Sequence, residues 1–171
     1  MEISKKILLL GDPKLYETSQ EVKKEDLNEV QAVVKVLHEV LMDFRNEYKR
    51  GRAVAAPQIG YMKRLIYMHM DNKPIVLINP IFTWKSQDFI ELWDDCMSFP
   101  DLLVKVLRHK TCRIKFYDMD WQEHEWDLTG DLSELLQHEY DHLDGILAVM
   151  RAIDSKSLAL YSQKKYIVFG R

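Results

Sequence analysis

Two histidines, spaced four residues apart, have the types and spacing of a metal site. His138, Glu139 and His142 form the pattern H-E-x-x-H. Residues four apart on an α-helix lie one turn above each other, so both imidazoles can offer a ring nitrogen to one small cation. Glu139 is offset around the helix, where its carboxylate can take a proton from a water that the metal activates. The pattern favours a metal-dependent hydrolase over the alternative of two solvated or core histidines on an amphipathic helix.

The flanking residues predict the helix that carries this pattern. Asp131 is the expected N-cap, Glu134 three residues later would complete a capping box, and Gly145 is expected to end the helix. Apolar positions between these limits supply the buried face, and they are Leu132, Leu135, Leu136 and Leu143. Capping is therefore one interpretation of Asp131 and Glu134, beside a role in binding substrate.

Two histidines do not hold a catalytic metal, and hydrolases with this pattern usually take a third ligand from further down the chain. No His follows His142 and no Glu follows Glu139, which leaves Asp144 and Asp154 as the acidic candidates. The third ligand is therefore expected upstream. Cys96 is the strongest candidate because a thiolate is a strong, soft ligand.

Cys112 is the alternative third ligand, since His109 lies three residues before it. The surrounding segment, Thr111–Tyr117, alternates between apolar and polar residues like a half-buried strand. Cysteine in such a strand is usually only a small apolar side chain, which makes Cys112 the weaker candidate.

Three segments occur together in the order and spacing of one family. They cover residues 55–60 (AAPQIG), residues 96–98 (CMS) and residues 137–145 (QHEYDHLDG). With these segments the chain resembles a peptide deformylase. Residues 7–13 and 76–80 also look like that family, so the resemblance spans nearly the whole chain.

The resemblance implies a metal site with a defined set of ligands. Cys96, His138 and His142 would bind one divalent metal ion, with water as the fourth ligand. Iron(II) is the metal expected in cells, with zinc or nickel as alternatives, because thiolate and imidazole ligands suit all three.

The resemblance also implies the catalytic roles. Gln58 would donate its side-chain amide, and Met97 its backbone N–H, to the formyl oxygen, where negative charge develops during attack on the formamide. Glu139 would act first as the base and then as the acid toward the departing amine. The expected function is removal of the N-formyl group from the N-terminal methionine of newly made peptides, with release of formate.

Two of the three motifs depart from the family pattern. The first normally reads Gly, apolar, Gly, apolar, Ala, Ala; residues 51–56 read GRAVAA, so Ala53 replaces the second glycine and restricts the backbone there. Before Cys96 the usual Glu-Gly is Asp94-Asp95. Asp94 keeps the carboxylate with a shorter reach. Asp95 adds a charge and a Cβ one residue from the metal thiolate.

The resemblance places a pocket for the first side chain of the peptide between the first motif and the metal helix. The expected substrate-binding residues are Arg52, Ala53, Val54, Glu134 and Leu135. Arg52 and Glu134 are charged where the family has apolar residues. This difference leaves open an Arg52–Glu134 ion pair on the rim, an amidohydrolase acting on another N-formyl or N-acyl amine, or a catalytically impaired metal-binding homologue.

A length of 171 residues fits one domain, and the resemblance implies a single catalytic domain over residues 1–171. The net charge of −3 provides no basis for binding to nucleic acid. The two cysteines argue against a disulfide framework and for a reducing, cytoplasmic compartment. The first apolar run has four residues, too short for a signal peptide, and no membrane span follows. The expected partner is a formylated nascent peptide.

The order of the predicted elements indicates the fold class. A long amphipathic helix is expected over Leu27–Tyr48, followed by strands and then by the metal helix. The predicted strands cover residues 64–70, 75–79, 103–107, 111–117 and 123–128, with a turn over residues 71–74. Helices segregated from a run of strands indicate an α+β fold, in which antiparallel strands pack around the late helix carrying H-E-x-x-H.

The end of the chain predicts a short C-terminal helix over residues 155–165, followed by an apolar run over residues 166–169. Lys164, Lys165 and Arg171 make this end locally basic. In some deformylases a C-terminal helix touches the ribosome, which leaves open a transient ribosome contact. The alternative is a basic helix end that is simply solvated and matched to the helix dipole.

Overall fold

A computed structural model describes residues 6–167 of the chain. Within that range the two α-helices are α1 at Leu27–Tyr48, which precedes all the strands, and α2 at Gly130–Leu143, which follows most of them. The architecture is the expected α+β fold, with the long helix first and the metal helix after most of the strands. Over the same range no helix is both long enough and apolar enough to cross a membrane.

The strands form two antiparallel sheets. Over the described range the larger sheet has the order β1-β2-β3-β6-β7 and the smaller sheet has the order β4-β5-β8. The larger sheet consists of β1 (Ala53–Ala55), β2 (Leu65–Met70), β3 (Lys73–Lys85), β6 (Thr111–Tyr117) and β7 (Glu123–Thr129). The smaller sheet consists of β4 (Phe89–Asp95), β5 (Leu102–His109) and β8 (Leu158–Leu160).

Both faces of the larger sheet are covered by helices. In β2, Leu65 and Tyr67 belong to the core under α1, whereas Ile66 and Met68 belong to the core under α2. This alternation follows from the two-residue period of a strand. Helix α2 also contacts β5 of the smaller sheet, so the metal helix is held between the two sheets.

The strand predictions succeed where side chains alternate or where a turn is encoded locally. The Asp71 and Asn72 turn has φ angles of 50° and 59°, and it pairs Met70 with Lys73 as a two-residue hairpin requires. Strand β3 continues to Lys85, well beyond the predicted residues 75–79, and its register with β6 shifts twice. Such irregularities break the alternation on which the prediction depended.

Three strands in the described range were not predicted, namely β1, β4 and β8. Strand β1 has three residues, all buried, so it shows no alternation. Strand β4 carries charges at its C-terminal end, and Asp94 there is buried by the site it belongs to. Strand β8 pairs with β5, which lies far earlier in the chain, and local sequence does not report such a pairing.

The capping box expected at Asp131 is not present. Strand β7 runs directly to Thr129, which is the N-cap, and Gly130 with φ of 56° turns the chain into the helix. Asp131 therefore lies inside the first turn rather than at the cap. The Glu134 side chain instead bonds to Arg52 across the cleft.

The C-terminal segment differs from the predicted helix in extent and type. Leu158–Leu160 forms β8, which pairs with β5 from Leu102 to Val104, and a 3₁₀-helix follows at Tyr161–Tyr166. The open edge of β5 provides backbone partners that a helix in this place would leave unused. Residues 168–169 of the predicted apolar run, Arg171, and residues 1–5 at the start lie outside the described residues.

Gly145 ends α2 in a place where only glycine fits. Its φ is +70°, and an added Cβ would lie 2.5 Å from the backbone oxygen of Tyr16. The approach is maintained by the hydrogen bond from the Ser19 N–H to the Leu143 carbonyl oxygen.

Replacing Gly145 by Ala is expected to lower the free energy of unfolding by about 3 kcal/mol, because the positive φ costs about 1–2 kcal/mol and displacement of backbone adds the rest. Urea unfolding of the metal-loaded protein measures this change. Gly130→Ala is the matched control, since Gly130 has φ of +56° and nothing within 4 Å of the added Cβ. Equal losses in the two variants would contradict the close approach at Gly145.

Candidate metal centre

Three buried side chains bring their ligand atoms together. Cys96 follows directly after β4, and His138 and His142 lie one turn apart on α2. His142 Nε2 lies 3.3 Å from Cys96 Sγ and 3.2 Å from His138 Nε2. The three ligand atoms lie within 4.8 Å of one another. The structure therefore assembles the Cys96, His138 and His142 set that the sequence predicts.

Cys112 is not part of this group. It lies in β6, within the core between the larger sheet and α2, and the Ser133 hydroxyl is 3.3 Å from its Sγ. Burial raises the pKa of the Cys112 thiol, which favours the neutral form. His109 points elsewhere, with its Nδ1 2.7 Å from the Ser86 carbonyl oxygen. Cys112 is a packing residue, as the strand pattern suggested.

The donor atoms fit a divalent metal ion. His138 Nδ1 lies 2.9 Å from Asp94 Oδ2, a contact that holds a proton on Nδ1 and directs Nε2 toward His142 Nε2. Burial lowers the pKa of His142 well below its usual value, which favours the neutral ring that a metal requires. One thiolate and two imidazoles form a set that suits iron(II), zinc and nickel alike.

A largely buried network of charges lies behind His138. Asp94 accepts from the Arg108 guanidinium at 3.1 Å, and Arg108 also donates to Asp141. Although burial opposes ionisation, His138 and Arg108 hold the pKa of Asp94 below its usual range. Arg151 donates to the other oxygen of Asp141 at 2.8 Å. This network joins β4, β5 and α2 behind the ligands.

Neither Arg108 nor Asp141 was predicted from the sequence. A signal was present for Asp141, which lies inside the H-E-x-x-H pattern beside His142 on a helix expected to be buried. A carboxylate in such a place requires a cationic partner. The identity of that partner was not encoded locally, because Arg108 is 33 residues away in the sequence.

Gln58 is held in one orientation next to the Cys96 sulfur. The Ala55 N–H donates to Gln58 Oε1 at 2.9 Å, so the amide NH₂ points the other way. Gln58 Nε2 lies 3.6 Å from Cys96 Sγ and donates to Ser98 Oγ at 3.1 Å. The side chain is therefore a fixed donor beside the ligand group. Ser98, whose N–H is 3.4 Å from the thiolate, was not singled out from the sequence.

Glu139 is buried beside the same group of ligands. Only 4% of the residue is exposed, and Oε2 has no hydrogen-bond partner among the described residues. Burial raises the pKa of Glu139 to about 7. A carboxyl group with this proton affinity can both accept and donate a proton near neutral pH.

A cleft of about 560 Å³ opens onto the ligands. Its wall includes Arg52, Ala53, Glu134 and Leu135, four of the five predicted substrate-binding residues. The fifth, Val54, is fully buried on the opposite face of β1, where it packs in the core under α1. Alternation along β1 turns its side chain away from the cleft.

Arg52 and Glu134 form an ion pair in the cleft wall. The Arg52 side chain is 42% exposed and the Glu134 side chain is 11% exposed. Of the interpretations left open by the sequence, the ion pair is therefore present. The two charges balance each other, and Glu134 lies one helical turn before His138.

Comparisons with known proteins identify the family of this chain. Residues 4–158 match the model of the family described as polypeptide deformylase. A peptide deformylase of Thermotoga maritima is 31% identical over 97% of this chain and 96% of its own length. A peptide deformylase of Pseudothermotoga lettingae is 34% identical over 98% of this chain and 92% of its own length.

Solved structures give the same result. A peptide deformylase from Legionella pneumophila superposes with a TM-score of 0.80 at 29% identity, over 91% of this chain and 89% of that chain. A probable peptide deformylase from Synechococcus phage S-SSM7 superposes with a TM-score of 0.77 at 31% identity, over 88% of this chain and 99% of that chain. The chain belongs to the polypeptide deformylase family, hydrolases that use a single divalent metal ion to remove the N-formyl group from nascent peptides.

Proposed function

We propose that this protein is an active deformylase for peptides that begin with formyl-methionine, with Cys96, His138 and His142 as the ligands of one divalent metal ion. The observation that carries this proposal is the buried Glu139 carboxyl group, which lines the same cleft as Cys96 and His138. A site that only stabilised the fold would need no base and would normally recruit a fourth protein ligand. Glu139 thus argues against an impaired homologue.

The metal proposed in cells is iron(II), with zinc and nickel as alternatives that the same ligands accept. When bound, the ion supplies Lewis acidity that acidifies water and polarises the formyl oxygen. Asp94 supports this role by holding the His138 ring in one tautomer and orientation.

Glu139 is proposed to move the proton. Its Oε2 takes a proton from the attacking water and then returns that proton to the departing amine nitrogen, which yields formate and a free amino terminus. Support comes from its burial and from a pKa raised to about 7. The same carboxyl group can therefore serve in both steps.

Gln58 and Met97 are proposed as donors to the formyl oxygen. Negative charge develops on this oxygen during attack, and donors fixed in advance stabilise it without reorganisation. The Gln58 amide is oriented by the Ala55 N–H, and Met97, which is 6% exposed, follows Cys96 directly. Both donors lie in a part of the cleft that is largely closed to water.

The first side chain of the substrate is proposed to bind against Arg52, Ala53, Glu134 and Leu135, with Val54 supporting the wall from behind. Ala53 and Leu135 provide apolar surface, while the Arg52–Glu134 pair adds a polar one. Compared with an entirely apolar wall, this wall is expected to select less strongly for an apolar side chain.

The proposed partner is a formylated nascent peptide, and the proposed place of action is the cytoplasm, in a single catalytic domain over residues 1–171. A transient contact with the ribosome is supported by Lys164 and Lys165, both exposed on the 3₁₀-helix at Tyr161–Tyr166. Basic side chains at such a surface suit the phosphates of RNA.

Glu139→Gln is expected to retain one metal ion per chain and to lower kcat for formate release by at least about 100-fold, because it removes the base without removing a ligand. The measurement uses anaerobically iron-loaded protein and a formyl-methionyl tripeptide. Glu125→Gln, on the exposed side of β7, is the control for the loss of a carboxylate. Turnover equal to the wild type would sink the proposed role of Glu139.

Cys96→Ala is expected to lose bound metal, because two imidazoles alone hold a divalent ion weakly. Cys112→Ala changes the other buried cysteine and is expected to keep one metal ion per chain. Metal content after gel filtration in the presence of a weak chelator measures the difference. Equal metal content in the two variants would show that the ligand assignment is wrong.

The double variant Arg52→Leu with Glu134→Leu tests the polar wall. It is expected to raise kcat/KM for a formyl-methionyl tripeptide, relative to a formyl-glutaminyl tripeptide, by about tenfold, since an apolar wall discriminates against a polar side chain. Melting temperatures check that the variant is folded. An unchanged ratio would mean that the pair lies outside the region that contacts the first side chain.

A further inference from the structure

Asp95, which replaces the glycine typical of the family, is paired with Arg50. Arg50 Nε lies 2.8 Å from Asp95 Oδ2. The N–H does not point at this oxygen, so the contact is ionic rather than a directed hydrogen bond. Asp95 is the last residue of β4 and directly precedes the metal ligand Cys96. The negative charge that Asp95 adds is therefore balanced by the adjacent positive charge of Arg50.

The same guanidinium also contacts the loop after Cys96 and the C-terminal segment. Arg50 Nη2 donates to the Pro100 carbonyl oxygen. The guanidinium carbon also lies 3.7 Å from the ring centroid of Tyr161, in a stacked cation–π contact. Only 16% of the Arg50 side chain is exposed. One side chain thus joins the end of β4, the loop after the metal cysteine and the C-terminal segment.

The contacts of Arg50 lie on both sides of the turn formed by residues 96–99. Asp95 lies on one side of Cys96 and Met97, and Pro100 lies on the other. Within the loop the Phe99 N–H donates to the Cys96 carbonyl oxygen at 3.1 Å, which makes a tight turn. Anchoring both ends of a turn restricts the positions of the groups inside it.

We propose that Arg50 is a positioning residue for the deformylase reaction, and that Tyr161 holds Arg50 in place. This inference rests on the proposed function. Arg50 fixes both ends of the turn that presents the Cys96 thiolate and the Met97 N–H, and it neutralises Asp95 beside the thiolate. The C-terminal segment lies outside the wall of the cleft. Through Tyr161 and Arg50, however, it helps to hold the turn that forms part of that wall.

Loss of Arg50 has a specific consequence for the loop. The Asp95 carboxylate would then lie unpaired one residue from a thiolate, and like charges at short range repel. Because the Asp95 side chain is 43% exposed, water screens much of this repulsion. The change should therefore appear in the geometry of the loop rather than in the global stability of the protein.

The first test compares Arg50→Gln with Arg113→Gln, which removes an ion pair of the same 2.8 Å separation on the exposed side of the larger sheet. Arg50→Gln is expected to lower kcat about tenfold, because small displacements of catalytic groups carry penalties of this size or larger. KM should stay within about twofold. Release of metal to a chelator should become several-fold faster, with a melting temperature close to that of Arg113→Gln.

The second test addresses the stacking partner. Tyr161→Ala is expected to reproduce part of the kcat and metal-release defects, whereas Tyr161→Phe keeps the ring and is expected to behave as the wild type. Tyr166→Ala removes an exposed ring from the same segment and is the matched control. If Arg50→Gln does not fold, the comparison of Tyr161→Ala with Tyr161→Phe still tests the proposal.

The proposal is overturned if Arg50→Gln matches Arg113→Gln in both kcat and metal release, or if Tyr161→Ala behaves as Tyr161→Phe. A rise in KM with unchanged kcat would also overturn it, because Arg50 would then contact substrate directly. If the wild type shows no turnover, the proposed function fails, and the rates of metal release still test the positioning role separately.

Discussion

Three electron-rich atoms must be held together in a site that is nearly closed to water. Cys96 Sγ and the Nε2 atoms of His138 and His142 lie within 4.8 Å of one another, and lone pairs at such distances repel unless a cation lies among them. Two of the three atoms come from residues one turn apart on helix α2. The third arrives from the smaller sheet, so the docking of that sheet against the helix decides whether a metal site exists.

Charged side chains behind these three residues hold the smaller sheet against α2. Asp94 lies two residues before Cys96 and contacts His138, while Arg108 on β5 bridges Asp94 and Asp141. Every member of this chain is buried, and removal of one would leave an uncompensated charge in a poorly solvated place. The network therefore couples the orientation of the ligand histidine to the packing of helix on sheet.

The charged departures from the family pattern each lie beside a charge of opposite sign. Arg52 is matched by Glu134 in the cleft wall, and Asp95 is matched by Arg50 at the end of β4. These departures therefore add polar surface beside Cys96 and His138 without adding an unpaired charge there.

The features that could be predicted from the sequence are those that local backbone geometry dictates. A period of 3.6 residues placed His138 and His142 on one face of a helix, and alternation placed Cys112 in the strand Thr111–Tyr117. The partner of Asp141 and the pairing of Arg50 with Asp95 are visible only in the folded structure. Both join segments far apart in the chain, and such a contact depends on how whole elements dock. No local pattern of side chains records that docking.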